Sequence, residues 1–375
     1  MTAPSFANST LTVGNRIGRY FSIVSMLPAL FLVLWTYALI ASGAWRNAPD
    51  LKSLMARTSH WSLTGVAWLV VATLLVALFL HPLQFAMTQL LEGYWGNSPV
   101  AISAMKLRIV HYRKRQRQLI KQIGQRRIAL QEQYDRLFAS DSKPQGTARE
   151  GDDPYERNEE VRKRNKEISL PQSKHGDPLM VHVVSIDAAD KRLQRYPEER
   201  SRVMPTRLGN ALRRFEDTAG SQYGLNAILT APHFSLIAPD QHTQYLRDSR
   251  QQMDTTISLC TVSFLATIIA VVFLLTDGLW LLVSLVPYAL AYIAYRAAVE
   301  AADEYATAVT TVIDLDRFQL YESLRINAPR NTKEERAANM QLMTLLGGDR
   351  SVNVRYSRDV RLAEQRLPRR PRKPG

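Results

Sequence analysis

The sequence holds one cysteine, Cys260, in 375 residues. A disulfide framework and a cysteine metal cluster are therefore excluded. It also lacks a phosphate-cradling Gly-rich loop, a Gly-x-Ser-x-Gly elbow and a paired His-Glu zinc motif, so the common sequence signatures of nucleotide, ester and zinc chemistry are missing. His175, His182, His233 and His242 have no ligand spacing to one another. No catalytic, cofactor-binding or metal residue is assigned, and the residues lean away from an enzyme.

A further absence is regional. No Asp, Glu, Lys or Arg occurs in Phe21 to Ala44, Ser62 to Phe85, Thr255 to Leu275 or Leu279 to Tyr295. Segments apolar on every helical face belong in lipid or in a large core, and about 20 residues at 1.5 Å each cross a hydrocarbon layer of about 30 Å; four such runs favour lipid over a buried hairpin of a soluble protein. Intramembrane charges mark proton relays and ion-coupled sites, so their absence argues against a pump or secondary transporter. Four transmembrane helices are expected, as two hairpins. Thr276-Asp277-Gly278 turns the second one, because Asp bonds its own backbone and Gly accepts positive φ.

What is present between these runs is charge. The chain carries 48 Lys and Arg against 34 Asp and Glu, a net +14, and the mean hydropathy of -0.18 averages two unlike populations. Cations gather before the first run at Arg16 and Arg19, in the middle of the chain and in the tail, which places both termini and the middle in the cytoplasm. The expected order is a tail over 1–19, a hairpin over 20–86, a basic helical region over 87–139 and a disordered linker over 140–178. A cytoplasmic domain over 179–254, the second hairpin over 255–295, cytoplasmic helices over 296–346 and a basic disordered tail over 347–375 complete it. The fold class is mainly α, with one or a few short strands. The strand signal is Leu179 to Asp187, where Val181, Val183, Val184 and Ile186 surround His182 and Ser185.

Two groups of residues are candidates for contacts. Lys106, Arg108, Arg113, Lys114, Arg115, Arg117, Lys121, Arg126 and Arg127 lie on a predicted amphipathic helix and suit anionic lipid headgroups or a partner surface. Without a nucleic-acid fold motif, nucleic acid is the weaker match for the same charges; the acidic faces of 300–316 could also dock them. Arg207, Asn210, Arg213, Glu216 and Asp217 form a candidate polar cluster, where Pro205 and Thr206 suit a helix start and Leu208, Leu212 and Phe215 share one face. Thr332 followed by Glu335 reads as a capping box for a helix to Leu346.

Pro205-Thr206-Arg207-Leu208-Gly209-Asn210, Glu216, Tyr223-Gly224, Asp254 and Asp314-Leu315-Asp316-Arg317 together resemble an uncharacterised group of bacterial multi-pass inner-membrane proteins, over residues 203–325. The resemblance implies a bacterial inner membrane and no particular chemistry. A scaffold, sensor or partner-binding module at the membrane surface is the function these readings support, with a protein partner or a second copy of the chain. The alternatives are an oligomeric pore, drawing on Thr255, Thr256, Ser258, Thr261, Ser263 and Thr267, and a membrane-bound enzyme with an unrecognised cytoplasmic site.

Overall fold

The computed structural model describes residues 25–46, 48–59, 62–138, 176–349, 351–354 and 356. Arg16, Arg19, linker positions 140–175 and tail positions 357–375 lie outside the described residues. Ten α-helices are described: α1 (Leu27–Ala41), α2 (Leu51–Ser59), α3 (Leu63–Glu92), α4 (Pro99–Phe138), α5 (Gly176–Leu193), α6 (Arg207–Thr218), α7 (Ala227–Ile237), α8 (Asp240–Leu274), α9 (Leu285–Ser323) and α10 (Thr332–Leu346). They divide into two compact units, one of residues 1–108 and 197–375, the other of residues 109–196.

The spine of the first unit is the hairpin of α8 and α9. α8 ends at Leu274, and a tight 3-10 stretch, Gly278–Ser284, leads into α9. Both helices run well past their apolar segments, so each is one rod shared by an apolar and a polar layer. On α8, Ser258, Val262, Ala266, Ala270 and Leu274 are buried at four-residue spacing. On α9 the buried positions include Ala291, Ala294, Ala298, Ala301 and Ala302 and, further on, Val309, Val312, Ile313 and Leu320. In the apolar layer this spine packs against Ala29 and Leu32 of α1 and Ala77 and Leu80 of α3. Lipid offers helices no hydrophobic drive to associate, so small residues that let backbones approach supply the contact. In the polar layer Phe234 of α7, Leu342 of α10 and Ala219, Leu225 and Ala227 cover it, a hydrophobic core of the water-soluble kind.

Three helical segments are long and apolar enough to cross a membrane: α3, α8 and the continuous Gly278–Ser323. The first apolar run forms the shorter α1, of 15 residues. The outer faces agree with lipid contact, since Trp68, Val71, Leu75, Leu78, Phe79, Phe264, Ile268 and Val272 are exposed. Thr255, Thr256, Thr261 and Thr267 spend their hydroxyls on carbonyls of their own helix.

The strand expected over Leu179 to Asp187 is α5 instead, and no strand forms among the described residues beyond one bridge pairing Ile326 with Tyr356. The β-branched residues are outweighed by a tertiary contact, because only a helix places Ile186, Ala189 and Leu193 on one face against Ile123 and Leu130 of α4. Residues 176–178, read as linker, belong to this helix. The second unit is thus a pair of helices, fastened also by Arg127 on Asp190 at 2.9 Å and by Arg126 donating to the Ser185 carbonyl at 2.9 Å. One cap differs from expectation: Asn331, not Thr332, caps α10, accepting from Lys333 and Glu334 N–H.

Candidate functional site

The motif Pro205-Thr206-Arg207-Leu208-Gly209-Asn210 joins two helix ends. The Thr206 hydroxyl accepts from Gly209 N–H at 2.9 Å, capping α6, and donates to the Glu92 carbonyl at 2.8 Å, satisfying the last turn of α3. A side chain at Gly209 would place its Cβ 2.1 Å from the Glu92 oxygen. Gly93 turns the chain away with φ +109, against Pro205. Asn210 is buried and holds the loop shut, accepting from Met204 N–H at 2.8 Å and donating to the Met204 and Thr206 carbonyls. The Arg207 N–H donates to the Tyr295 hydroxyl at 3.0 Å. Thus α3 is continued by α6 along the spine, and the apolar layer meets the polar layer at this join.

Beside the join lies a cavity of about 310 Å³, walled by α3, α6, α7, α8 and α9. Leu212, Phe215, Ala231, Met253 and Val309 make its apolar wall, and Glu92, Glu216, Arg250 and Tyr305 its polar positions. The Phe215 and Tyr305 rings stand 5.8 Å apart, tilted by 58°. Glu216 is neutralised twice, by Arg213 at 2.8 Å and Arg202 at 3.3 Å, and the Arg213 guanidinium also meets the Tyr94 hydroxyl. Arg250 is held by buried Asp254 at 3.1 Å and lies 5.5 Å over the Tyr305 ring. Glu92 is different: among the described residues no hydrogen bond or ion pair holds its carboxylate. It stands seven positions past the end of the apolar run at Phe85. Burial raises its pKa from the ordinary 4.5 and the Glu216 charge raises it further, against Arg213 and Arg250. Burial likewise raises Asp217, although Arg202 pairs with it.

Of the residues expected to cluster, Arg213 and Glu216 come together and Glu216 lines the cavity. Asp217 joins them through Arg202, whereas Asn210 and Arg207 serve the helix join. Glu92, Arg202, Arg250 and Tyr305 were not among those candidates. One signal was available: Glu92 is the first carboxylate after the second apolar run, and Asp254 the last before the third. The basic candidates do not converge. Arg108 reaches the Pro205 carbonyl at 3.4 Å and Arg126 and Arg127 bind α5, while Lys106, Lys114, Arg117 and Lys121 are exposed along α4.

The other motif residues form a structural lock in the polar layer. Asp314 accepts from Gln222 at 2.9 Å, Asp316 lies 2.8 Å from His242 Nδ1, and Arg317 pairs with Glu335 at 3.0 Å beneath the Tyr223 ring. Asn339 donates to the Tyr223 carbonyl and the Tyr321 hydroxyl, each at 2.8 Å. The motif Asp314-Leu315-Asp316-Arg317 is therefore three fasteners reaching three elements. Among the described residues no group of three His, Cys, Asp or Glu could hold a metal ion.

Comparison with protein-family models, with curated proteins and with solved structures gives no match in any of the three. Fold and composition define a helical membrane protein with a polar helical layer built on its own membrane helices.

Proposed function

We propose that this chain is a bacterial inner-membrane protein of four spans in two hairpins, with both termini cytoplasmic, and that its polar layer is a sensor or partner-binding module at the membrane surface. The observation that carries this reading is the shared spine. Because α8 and α9 pass unbroken from the apolar into the polar layer, and α6 caps α3, a ligand or partner engaging the polar layer bears directly on the membrane helices. Rigid elements of this kind transmit coupling when both sites bias one arrangement. Exposed Lys106, Lys114, Arg117 and Lys121 suit anionic headgroups, where a Lys or Arg is worth about 1 kcal/mol near the surface.

Reporter fusions test the topology: a reporter in the 46–60 connection should report the periplasm and one after residue 346 the cytoplasm, and the reverse pattern overturns it. Planar-bilayer recording from the purified full chain tests the activity class. Silence is expected, since the hydroxyls of Thr255, Thr256, Thr261 and Thr267 are spent on their own helix and Ser258 and Ser263 are buried, and stepwise currents would establish a pore instead.

A further inference from the structure

The cavity at the join has a charge the rest of the molecule does not explain. The chain carries a net +14, yet the charges at this cavity leave a carboxylate over. Arg213 and Arg202 answer Glu216 and Asp217, and Arg250 answers Asp254. That is three guanidiniums against three carboxylates, with Glu92 as the fourth, within the field of Arg213 and Arg250 but bonded to neither. A half-buried carboxylate with no bonded partner is the natural place on this wall for a cation to be held.

The rest of the wall narrows what that cation is. Leu212, Phe215, Ala231, Met253 and Val309 would be wasted on a hydrated metal ion, and of the two lining carboxylates Glu92 is the one without a hydrogen-bond or ion-pair partner among the described residues. A hydrated divalent ion needs several oxygen ligands. An apolar wall with one unpaired charge instead matches an organic cation with a compact apolar body. Arg250 already lies over the Tyr305 ring, which leaves Phe215 as the cavity's aromatic contact for an ammonium group. A volume of about 310 Å³ suits a small amphiphile.

We propose that the cavity between α3, α6, α7, α8 and α9 binds a small alkyl- or arylammonium compound, with Glu92 taking the ammonium group and Leu212, Phe215 and Met253 the apolar body. This rests on the reading of the polar layer as a ligand-responsive module and gives that module its ligand class. Glu92 comes from α3, Leu212 and Phe215 from α6 and Met253 from α8, so an occupied cavity ties α3, the end of one hairpin, to α8 of the other.

The test is calorimetric titration of the full chain in nanodiscs with hexylammonium chloride, hexanol and sodium hexanoate, with empty nanodiscs correcting for partition into lipid. Saturable binding of hexylammonium alone is expected. Glu92→Gln, which keeps size and hydrogen-bonding capacity, should weaken it about tenfold or more, the worth of one charge-assisted hydrogen bond. Ala231→Leu, which fills the cavity from α7, should abolish it without lowering the thermal midpoint. Equal titration of wild type and Glu92→Gln, a preference for hexanoate, or no saturable binding of any probe would overturn the assignment. Those outcomes are independent of the fusion and conductance results, which judge the membrane-module reading by themselves.

Discussion

The two halves of the α8–α9 spine share one register and are built from opposite materials. In the apolar half small residues, alanine above all, make most of the contacts, the threonine hydroxyls of α8 bond their own helix, and many large side chains point outward to lipid. In the polar half the contact residues are Val, Ile and Leu, and buried polar side chains bond across elements, as Arg317 does with Glu335 and Asn339 with Tyr223. The difference follows from the solvent. Water drives large apolar side chains inward, whereas lipid is indifferent to them and rewards only close packing and satisfied backbone groups. Removing a polar group should therefore be costly in one half and almost free in the other.

The largest effect is expected at Glu335→Ala, which strands Arg317 and leaves the Tyr321 hydroxyl and its neighbours short of a partner. Breaking a buried ion pair from one side costs about 3 to 5 kcal/mol. A chemical-denaturation or thermal series on the detergent-solubilised chain measures it, and a loss below about 1 kcal/mol would mean the lock is incidental. Next, Gly209→Ala drives a Cβ into the Glu92 carbonyl and should cost about 2 to 3 kcal/mol by the same assay. It should also separate the two halves, so that limited proteolysis reaches the 203–206 loop while the apolar layer stays protected.

The pH dependence of the join is smaller, and its sign is fixed by direction. Glu92 titrates above its ordinary value, so it favours the folded state in acid, and that contribution disappears as the pH rises from 4.5 through its raised pKa. The groups facing it are Glu216 and Arg213 on α6, Arg250 and Asp254 on α8 and Tyr305 on α9. Glu92→Gln should match wild type near pH 4 in thermal melting and exceed it at neutral pH; parallel curves across that range would contradict the assignment. The smallest effect belongs to Thr267→Val, whose lost hydroxyl serves only the Ser263 carbonyl of its own helix. It should change stability by no more than about 0.6 kcal/mol, and a larger loss would reveal a polar contact between membrane helices.

Much of this architecture was legible beforehand. The apolar runs, the basic amphipathic α4, the start of α6 at Thr206 and the long helix after residue 296 are all recorded in spacing and local chemistry. The misreading at Val181 to Ile186 came from β-branched residues whose propensity yields to the packing of α5 on α4. Half of the polar cluster was visible because Arg213 and Glu216 are a turn apart on one helix. Arg202, Arg250 and Tyr305 were not, since none is near Glu216 on a shared helix.

What the sequence alone determined is where the chain avoids water and where it requires it, because hydropathy, charge and helical period are properties of neighbouring residues. Which helix ends meet was decided only in three dimensions. The approach of α6 to α3 depends on a missing side chain at Gly209 and a hydroxyl at Thr206 that serves two helices at once. Packing then sets the rotation of each helix about its axis, and that rotation brings Glu92, Glu216, Arg250 and Tyr305 to one cavity.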